Sequence, residues 1–395
     1  MRELLSSDKA SAQSEDAPSN TPTKSNDVTN KLDVKSLTKG ELLAYCAEHG
    51  WPRFRADQLF QWLYQKGVHE FEDMTNLPKK MREYLQENAY INRITPSLEQ
   101  QSKDGTIKFL FQLNDRQDND TIENDKIEAV LIPDFYPDGA ANRLTVCVSS
   151  QVGCVFGCRF CATGKMGFFR NLSHGEIVDQ VQYINEVAME KYGKKITNIV
   201  YMGMGEPLHN YTAITQSASI ISDPLSIELS PKRITVSTVG LTKQIKKLAD
   251  EEQPFNLAIS LHAAIDDKRD KIMPINSSMN LVQLKQAVQY YYQATERAIT
   301  YEYLLFDEFN DSIEDADALA SIVGWAPSKV NIIMYNNVAG VALHRAREDR
   351  LDYFMNRLSK HKIRATVRRS RGDDIDAGCG QLAIREGAPR GKSIA

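Results

Sequence analysis

The segment Cys147-Val-Ser-Ser-Gln-Val-Gly-Cys154-Val-Phe-Gly-Cys158-Arg-Phe-Cys161 gives the clearest indication of the fold. Apolar and β-branched residues at 143–149 predict a strand, and the last three cysteines of the segment lie in the loop directly after it. Ser173, with Glu176 three residues later, is a capping box that predicts the start of a helix. These three cysteines therefore lie in the connection between a strand and a helix.

The chain repeats this order of strand and helix after residue 143. Candidate strands lie at 143–149, 196–202, 233–238, 256–261, 300–306, 329–335 and 363–369. Helical segments separate them, near 173–191, 210–222, 241–251, 281–297, 312–324 and 347–361. This order predicts an α/β fold with a parallel sheet, and its regularity favours a barrel or partial barrel, although periodicity does not decide closure. Active sites of such barrels lie at the C-terminal ends of the strands, where we expect the cysteines.

The residues before this repeat have a different pattern. The first 35 are rich in small polar and charged residues and poor in large apolar ones, which predicts disorder. Thr38 and Glu41 form a capping box that opens the first of three short helices, and β-branched residues at 107–113 and 126–132 predict strands joined by a polar loop. The predicted division is a disordered tail at 1–35, a small helical domain at 36–92, a β extension at 93–142, the barrel with a C-terminal loop at 143–386, and a tail at 387–395.

Composition limits the classes of function. The sequence contains no uncharged apolar run long enough to span a bilayer and no secretory signal, so we expect a cytoplasmic monomer without a membrane partner. Six cysteines in 395 residues are too few for a disulfide scaffold, so clustered thiols indicate metal binding or catalysis. The net charge of −4 means that any nucleic acid would have to be held by local basic patches.

The cysteine loop has the spacing of a cluster site. Three thiolates from Cys154, Cys158 and Cys161 can hold three irons of a cubane and leave the fourth iron open for a ligand. A structural zinc site is the alternative, but zinc takes four protein ligands, and no further Cys or His stands close to the loop in the sequence.

The CxxxCxxC spacing, with an aromatic residue before the last cysteine and a strand before the first, resembles the radical S-adenosylmethionine superfamily. The resemblance implies a partial (βα)6-type barrel and one [4Fe-4S] cluster on these cysteines. It also implies that S-adenosylmethionine chelates the open iron and is cleaved to a 5′-deoxyadenosyl radical. Polar or small residues at strand ends are then expected to bind this cosubstrate: Gly205, Glu206, Ser237, Ser260, Leu261, His262 and Asn336. An ordinary strand–helix turn and a structural role for His262 are the alternatives.

Four segments extend the resemblance: 147–161, Tyr201-Met-Gly-Met-Gly-Glu-Pro207, Ser260-Leu-His262 and Arg371-Gly-Asp-Asp-Ile-Asp-Ala-Gly-Cys-Gly-Gln381. Together they are similar to the RlmN/Cfr family of radical methyltransferases. The resemblance implies methylation of an adenine carbon of 23S ribosomal RNA, for which we favour C2 over the alternative C8. It further implies transfer RNA as a second substrate, two molecules of S-adenosylmethionine per turnover and an electron donor such as flavodoxin.

The same resemblance assigns three roles. Cys379 carries the methyl group, Glu128 removes the C2 proton, and Cys147 takes over the sulfur of Cys379 in a disulfide. A glutamate on an edge strand pointing to water is the alternative for Glu128, and the length of 134–142 leaves its path to Cys147 open. Another radical enzyme, in which Cys379 is structural, and a zinc-bound RNA-binding module are the competing functions. Basic residues between 360 and 371 are expected to bind RNA phosphates.

Overall fold

The computed structural model describes residues 31–113 and 125–384, and the first part of it is the small helical domain. This domain contains β1 (Leu32–Asp33), α1 (Lys39–Glu48), α2 (Phe54–Tyr64), α3 (Lys79–Asn88) and β2 (Ala89–Tyr90). The Thr38 hydroxyl accepts from the Glu41 amide and the Glu41 carboxylate accepts from the Thr38 amide, as the capping box predicted. β1 pairs with β2 in parallel and so joins the two ends of the domain.

The predicted end of the first tail at residue 35 is wrong. Lys35 is 2% exposed, and its ammonium group is paired with the carboxylate of Asp179 in the barrel. A buried ammonium group needs such a partner, and local composition cannot reveal one that lies far away in the sequence. Residues 1–30, the predicted tail at 387–395 and nearly all of the predicted polar loop, at 114–124, lie outside the described residues.

The extension is an antiparallel sheet that leads into the barrel. It consists of β3 (Thr95–Gln101), β4 (Ile107–Gln112), β5 (Lys126–Phe135) and β6 (Ala141–Cys147). β5 lies between β4 and β6, and the segment 134–142 contains the paired ends of both strands and the turn of the β5–β6 hairpin at 136–140. In this hairpin Cys147 pairs with Val130, two residues from Glu128, so the path between Glu128 and Cys147 is short. β3 was not predicted.

The barrel follows the predicted order of strands and helices. Its elements are β7 (Gln151–Gly153), α4 (Ala162–Met166), β8 (Phe168–Asn171), α5 (His174–Tyr192), β9 (Asn198–Tyr201), α6 (Tyr211–Ser222), β10 (Ile234–Thr238), α7 (Thr242–Asp250), β11 (Asn256–Ser260), α8 (Asp266–Ile272), α9 (Leu281–Thr295), β12 (Ile299–Leu305), α10 (Ile313–Val323), β13 (Ser328–Met334), α11 (Glu348–Lys360) and β14 (Ala365–Arg368). The hairpin of β7 and β8 and the short helices α4 and α8 were not predicted from the sequence.

The main sheet is open, as expected for a partial barrel. Ten described strands form it in the order β14-β13-β12-β11-β10-β9-β6-β5-β4-β3, with parallel pairing from β14 to β6. The chain after β14 crosses to the other edge, where the Gly372 amide donates to Asp104 and the Ser102 hydroxyl to Asp374. The C-terminal loop therefore closes the barrel at the β3–β4 turn. No described helix is long and apolar enough to cross a membrane.

Two apolar layers flank the barrel strands. Along β12, Tyr301 and Tyr303 pack in the large core shared with the helices, whereas Leu304 packs in a smaller cluster. Side chains alternate between the faces of a strand, so the smaller cluster marks the interior of the barrel. Phe160, from the cysteine loop, belongs to this interior cluster and fixes that loop on the barrel.

Candidate active site

The cysteine loop is a tight turn between β7 and α4. The Cys154 amide donates to the Gly167 carbonyl at 2.8 Å. A Cβ atom at Gly153 would lie 1.9 Å from that carbonyl oxygen, and Gly153 has a φ of 70°. Gly164 is equally restricted, because a Cβ atom there would lie 2.8 Å from the Cys158 carbonyl oxygen. The glycines allow the backbone to fold closely around the thiols.

The donor set of this loop suits an iron–sulfur cluster. Cys154, Cys158 and Cys161 are free cysteines, and thiolates are the usual ligands of such clusters. Zinc takes four protein ligands, whereas the loop itself offers three thiols. The donor set therefore fits a cluster that keeps one iron open better than it fits a single zinc ion.

The C-terminal loop with Cys379 lies directly on the cysteine loop. The Ala162 amide donates to the Gly380 carbonyl at 2.8 Å, and the Thr163 hydroxyl donates to the Leu382 carbonyl at 2.6 Å. Cys379 itself is exposed. Two contiguous residues after the last cluster cysteine thus hold the chain directly after this exposed thiol.

Asn336, which follows β13, is the best-formed polar site for a ligand. It is 3% exposed, and neither its amide oxygen nor its amide nitrogen has a hydrogen-bond partner among the described residues. Unpaired buried amide atoms are unfavourable, so the site fits a polar cosubstrate that would satisfy them. A Cβ atom at Gly378 would lie 2.0 Å from Asn336 Nδ2, so the Cys379 loop also touches this residue.

The remaining predicted cosubstrate residues lie at neighbouring strand ends. Ser237 and Ser260 have their hydroxyl oxygens 3.1 Å apart. Glu206 is buried, and its carboxylate accepts from the amides of Leu208 and Val239 at 3.1 and 2.9 Å. Burial raises the pKa of Glu206 to about 7. Its carboxylate thus holds two backbone segments together at the base of the site.

Packing within the chain explains why position 205 is a glycine. Its φ is 97°, and a Cβ atom there would lie 2.6 Å from the side chain of Gln151. The Gln151 amide oxygen accepts from the Glu206 backbone amide at 2.9 Å. The lack of a side chain at Gly205 therefore allows the backbone to pack against Gln151, in addition to any approach of a cosubstrate.

His262 is held in one tautomer. Its Nδ1 accepts from the Leu304 amide at 3.1 Å, so the ring proton lies on Nε2. Burial lowers the pKa of His262 to about 3, and its ring packs edge-on against Phe160 at a centroid distance of 4.9 Å. Leu261, before it, is fully buried and donates its amide to the Glu302 carbonyl at 3.0 Å. His262 therefore has a structural contact, as the alternative expected, and also supports the cysteine loop.

Glu128 is buried inside the sheet, so the alternative of an edge-strand glutamate pointing to water is wrong. It is 2% exposed, and its Oε1 lies 3.2 Å from the ammonium group of Lys108 on β4. Its Oε2 accepts from the Ala383 amide at 2.8 Å. The Ser149 hydroxyl donates to its backbone carbonyl at 2.5 Å, which fixes the strand at this point.

Cys147 lies at the end of β6 and is 8% exposed. Burial raises its pKa to about 12, and the nearby Cys379 thiol contributes in the same direction. The two thiols, the cysteine loop and Glu128 thus meet at one edge of the barrel.

Known proteins match the chain over nearly its whole described length. The model of the ribosomal RNA large subunit methyltransferase N-terminal domain matches residues 32–91, and the radical SAM superfamily model matches 148–320. A probable dual-specificity RNA methyltransferase RlmN of Salinibacter ruber is 52% identical, over 89% of this chain and 94% of that protein. The chain belongs to the RlmN family of radical S-adenosylmethionine RNA methyltransferases.

Two further relatives agree with this assignment to the RlmN family. The dual-specificity RNA methyltransferase RlmN of Campylobacter hominis is 42% identical, over 89% of this chain and 96% of that protein. The crystal structure of a radical SAM methyltransferase from Sphaerobacter thermophilus has a TM-score of 0.80 and 42% identity, and covers 89% of this chain and 99% of that one. As a member of the RlmN family, the protein is an RNA methyltransferase that uses S-adenosylmethionine and an iron–sulfur cluster.

Sequence reasoning missed some polar residues beside the proposed RlmN-family site. Lys108 lies on β4 among apolar residues and would be expected to be exposed; only the strand pairing reveals that it faces Glu128. Glu302 on β12 is 3% exposed, accepts from Asn331 at 2.8 Å and lies 3.5 Å from Arg368. For both Lys108 and Glu302, the sequence signal of a buried polar role was a charged residue within an otherwise apolar strand.

Proposed function

We propose that this RNA methyltransferase methylates C2 of a specific adenine in 23S ribosomal RNA and of an adenine in transfer RNA. The names of the relatives, which describe dual-specificity RlmN enzymes, support both substrates. One observation carries the mechanism: the loop with Cys379 is hydrogen-bonded both to the cysteine loop, through Gly380, and to Glu128, through Ala383. A thiol, a carboxylate and a cluster site therefore share one small volume.

Cys154, Cys158 and Cys161 would hold one [4Fe-4S] cluster. When bound, the cluster supplies the electron that cleaves S-adenosylmethionine to a 5′-deoxyadenosyl radical. The unpaired amide of Asn336 and the paired hydroxyls of Ser237 and Ser260 would orient the cosubstrate. The buried His262 has a lowered pKa, so it would add no positive charge to this site.

Cys379 is the proposed methyl carrier. Its exposed sulfur attacks the methyl group of a first S-adenosylmethionine, and S-adenosylhomocysteine leaves. The methyl group on Cys379 would give up a hydrogen atom to the 5′-deoxyadenosyl radical made from a second molecule, with 5′-deoxyadenosine as the by-product. Cys379 would then hold the carbon radical for addition to C2 of adenine. This route is needed because C2 has no lone pair in the ring plane that could attack a sulfonium ion.

Glu128 and Cys147 are proposed to release the product. Glu128 removes the C2 proton, and its contact with the Ala383 amide keeps it close to the carrier loop. The adduct would also pass one electron to the cluster held by Cys154, Cys158 and Cys161, which cleavage of S-adenosylmethionine leaves oxidised. Cys147 would then attack the sulfur of Cys379 and break its bond to the methylene carbon. That carbon takes up a proton to become the methyl group of the released base, and a Cys147–Cys379 disulfide remains. A reductant then reopens this disulfide.

Exposed basic residues in the segment that leads to the carrier loop are proposed to bind RNA. Lys360, Lys362 and Arg364 are exposed at the end of α11 and before β14, whereas Arg369 is paired with Glu348. Phosphate contacts of this kind position RNA without reading its sequence. The target adenine has to leave its stack to reach Cys379, which favours loop or bulge RNA.

The isomer of methyladenosine tests the proposed specificity. Ribosomal and transfer RNA from cells with and without the gene would be digested and analysed by mass spectrometry against both standards. The proposal predicts 2-methyladenosine that depends on this protein in both RNA classes. Protein-dependent 8-methyladenosine would instead support the alternative, Cfr-like reaction. Protein-dependent 2-methyladenosine in ribosomal RNA alone would limit the protein to that substrate.

Two cysteine variants test the roles of the thiols. Cys379→Ala should abolish methylation without forming an adduct, because no carrier is left. Cys147→Ala should accumulate protein that is covalently joined to RNA, detected as a shifted band in a denaturing gel. Equal loss of activity without an adduct in both variants would contradict the division of roles.

A further inference from the structure

A surface cavity of about 430 Å³ lies against the cysteine loop. Cys158 contributes to its wall, and the exposed cations Arg159, Lys165 and Lys271 surround it. The described residues that line the cavity include these three cations and no carboxylate. A cluster ligand is thus reached from the surface through a positively charged opening.

The rest of the wall is apolar. Phe309 and Leu343, from the loops after β12 and β13, line the cavity and are partly exposed. Lys165 fixes this wall, because its ammonium group donates to the carbonyls of Ala339 and Gly340 at 3.2 and 2.7 Å. An apolar centre with a charged rim is the usual composition of a protein–protein contact.

We propose that this cavity is the docking surface for an acidic protein that carries single electrons. The inference rests on the proposed cluster, since it concerns how that cluster is reduced. In the step, the carrier protein loses one electron and the cluster gains it, and no covalent bond is made or broken. Electron transfer weakens steeply with distance, so a donor is best placed beside a cluster ligand, and Cys158 lies in this wall.

The chain needs such a partner. Outside the cysteine loop, the described cysteines are Cys46, buried in the small helical domain, and the two proposed reactive thiols Cys147 and Cys379. Together with the cysteine loop, these account for all six cysteines of the sequence, so no thiols remain for a second cluster with cysteine ligands. The electron must therefore arrive from another molecule, and brief electron-transfer contacts are small and depend on charge complementarity for their rate.

RNA is the competing anionic partner. The lining of the cavity includes none of the residues from Arg368 to Ile384, nor Glu128 or Cys147, to which the target base has to come. Its apolar wall also suits a protein surface better than a phosphate backbone, which is bound by cations and polar groups. These features favour a protein donor, and RNA binding remains an outcome of the test.

The test uses the full chain with its cluster and a fully reduced flavodoxin as the probe. The variant Arg159→Glu/Lys271→Glu reverses two rim charges, and Lys243→Glu/Lys285→Glu, on exposed positions of α7 and α9 outside the cavity, is the matched control. Cluster reduction would be followed by stopped-flow absorbance, and donor affinity by calorimetry. The single variant Lys271→Glu provides a milder change.

The proposal predicts that the rim variant is reduced by flavodoxin at least about tenfold more slowly at low salt and binds it more weakly, whereas the control is unchanged. With dithionite as reductant, Lys271→Glu, which leaves the cysteine loop unchanged, should methylate RNA as the wild type does, and its iron and sulfide content should be normal. Unchanged flavodoxin kinetics and affinity in both rim variants would overturn the proposal.

Two other outcomes of this experiment can be distinguished from those above. A loss of RNA affinity in the rim variant with unaltered flavodoxin kinetics would assign the cavity to RNA and also overturn the proposal. Absence of RNA methylation by the wild type with dithionite would instead count against the proposed function, while donor affinity and cluster reduction would still report on the docking surface.

Discussion

The backbone amide of Ala383 donates a hydrogen bond of 2.8 Å to Oε2 of Glu128. This contact joins the loop that carries Cys379 to the carboxylate proposed as the base, although the two are far apart in the sequence. On the other side, Lys108 lies 3.2 Å from Oε1 of the same carboxylate. The carboxylate is thus held between a cation and a backbone donor.

Replacement of Glu128 tests its role as a base. Glu128→Gln keeps the size of the side chain but removes its basicity, so we expect methylation to fall by about 10²- to 10⁴-fold. The covalent protein–RNA adduct should accumulate, because the C2 proton remains. The readout is the fraction of protein in the adduct on a denaturing gel.

Glu302→Gln is the matched control, since Glu302 is also buried in the sheet but is assigned no proton transfer. It should not accumulate the adduct. If Glu128→Gln released methylated RNA at the normal rate, another group would have to be the base.

Replacement of Lys108 tests the buried ion pair. Lys108→Met leaves a carboxylate that is 2% exposed without its cation, which should reduce the free energy of unfolding by about 3–5 kcal/mol. The double variant Lys108→Met/Glu128→Gln should regain much of this loss. Urea unfolding of the single and double variants measures the coupling.

An exposed pair provides the comparison. The Lys79 and Glu83 side chains are 82% and 58% exposed and lie 3.7 Å apart, so Lys79→Met should change the free energy of unfolding by less than about 1 kcal/mol. Additive effects of the Lys108 and Glu128 substitutions would show that the pair contributes nothing in the folded protein.

The contrast between Lys108 and the cluster cysteines shows what the sequence could predict. Cys154, Cys158 and Cys161 follow one strand within eight positions, so their spacing alone indicated their chemistry. Lys108 reaches Glu128 only through the register of β4 on β5, which local patterns do not contain. The ion pair of Lys35 with Asp179, which ties a residue of the predicted tail to the barrel, depends on a contact of the same long-range kind.

The secondary-structure elements also differ in whether a local sequence pattern could predict them. The long amphipathic helices and buried strands of the barrel were predicted because they repeat a simple pattern over many residues. α8 was missed because its Asp266–Ile272 segment is mostly charged, although Arg269 within it is 1% exposed and donates to the Val239 carbonyl and Asn276 side chain. A buried, hydrogen-bonded arginine leaves no apolar signal in the sequence.

Gly378 provides a test of the carrier loop that leaves all thiols in place. Gly378→Ala would put a Cβ atom 2.0 Å from Asn336 Nδ2, so either the loop or the Asn336 amide has to shift. We expect methylation to fall by more than tenfold, since misplacing a reacting group by about 1 Å can lower a rate by 10². Cluster absorbance should be retained.

Gly40→Ala is its control, because nothing lies within 4 Å of a Cβ atom at that position. It should methylate RNA normally. Normal methylation by Gly378→Ala would show that the fit of the loop against Asn336 is unimportant.

The protonation of His262 can be followed with pH. Its folded-state pKa of about 3 lies below the ordinary value of 6.5, so the ring stays neutral between pH 8 and pH 5. The unfolded chain takes up this proton below pH 6.5, so the associated stability is complete above pH 6.5 and declines as the pH falls toward 3.

Nitrogen-15 spectra of histidine-labelled protein should show the Nε2-protonated tautomer of His262 throughout this range, with exposed His344 as a reference. Assignment follows from the signal lost in His262→Gln. A His262 signal that titrates near pH 6.5 would contradict the hydrogen bond from Leu304 and the burial of the ring.

We propose that the cluster held by Cys154, Cys158 and Cys161 generates the radical, whereas Cys379 carries the methyl group. Mass spectrometry of the purified protein, after incubation with S-adenosylmethionine labelled with deuterium in its methyl group, tests it most directly. We predict one labelled methyl group on the peptide that contains Cys379, and none on the corresponding peptide of Cys379→Ala. Wild-type protein with an intact cluster and active RNA methylation, but no methyl group on Cys379 at any time in turnover, would contradict it.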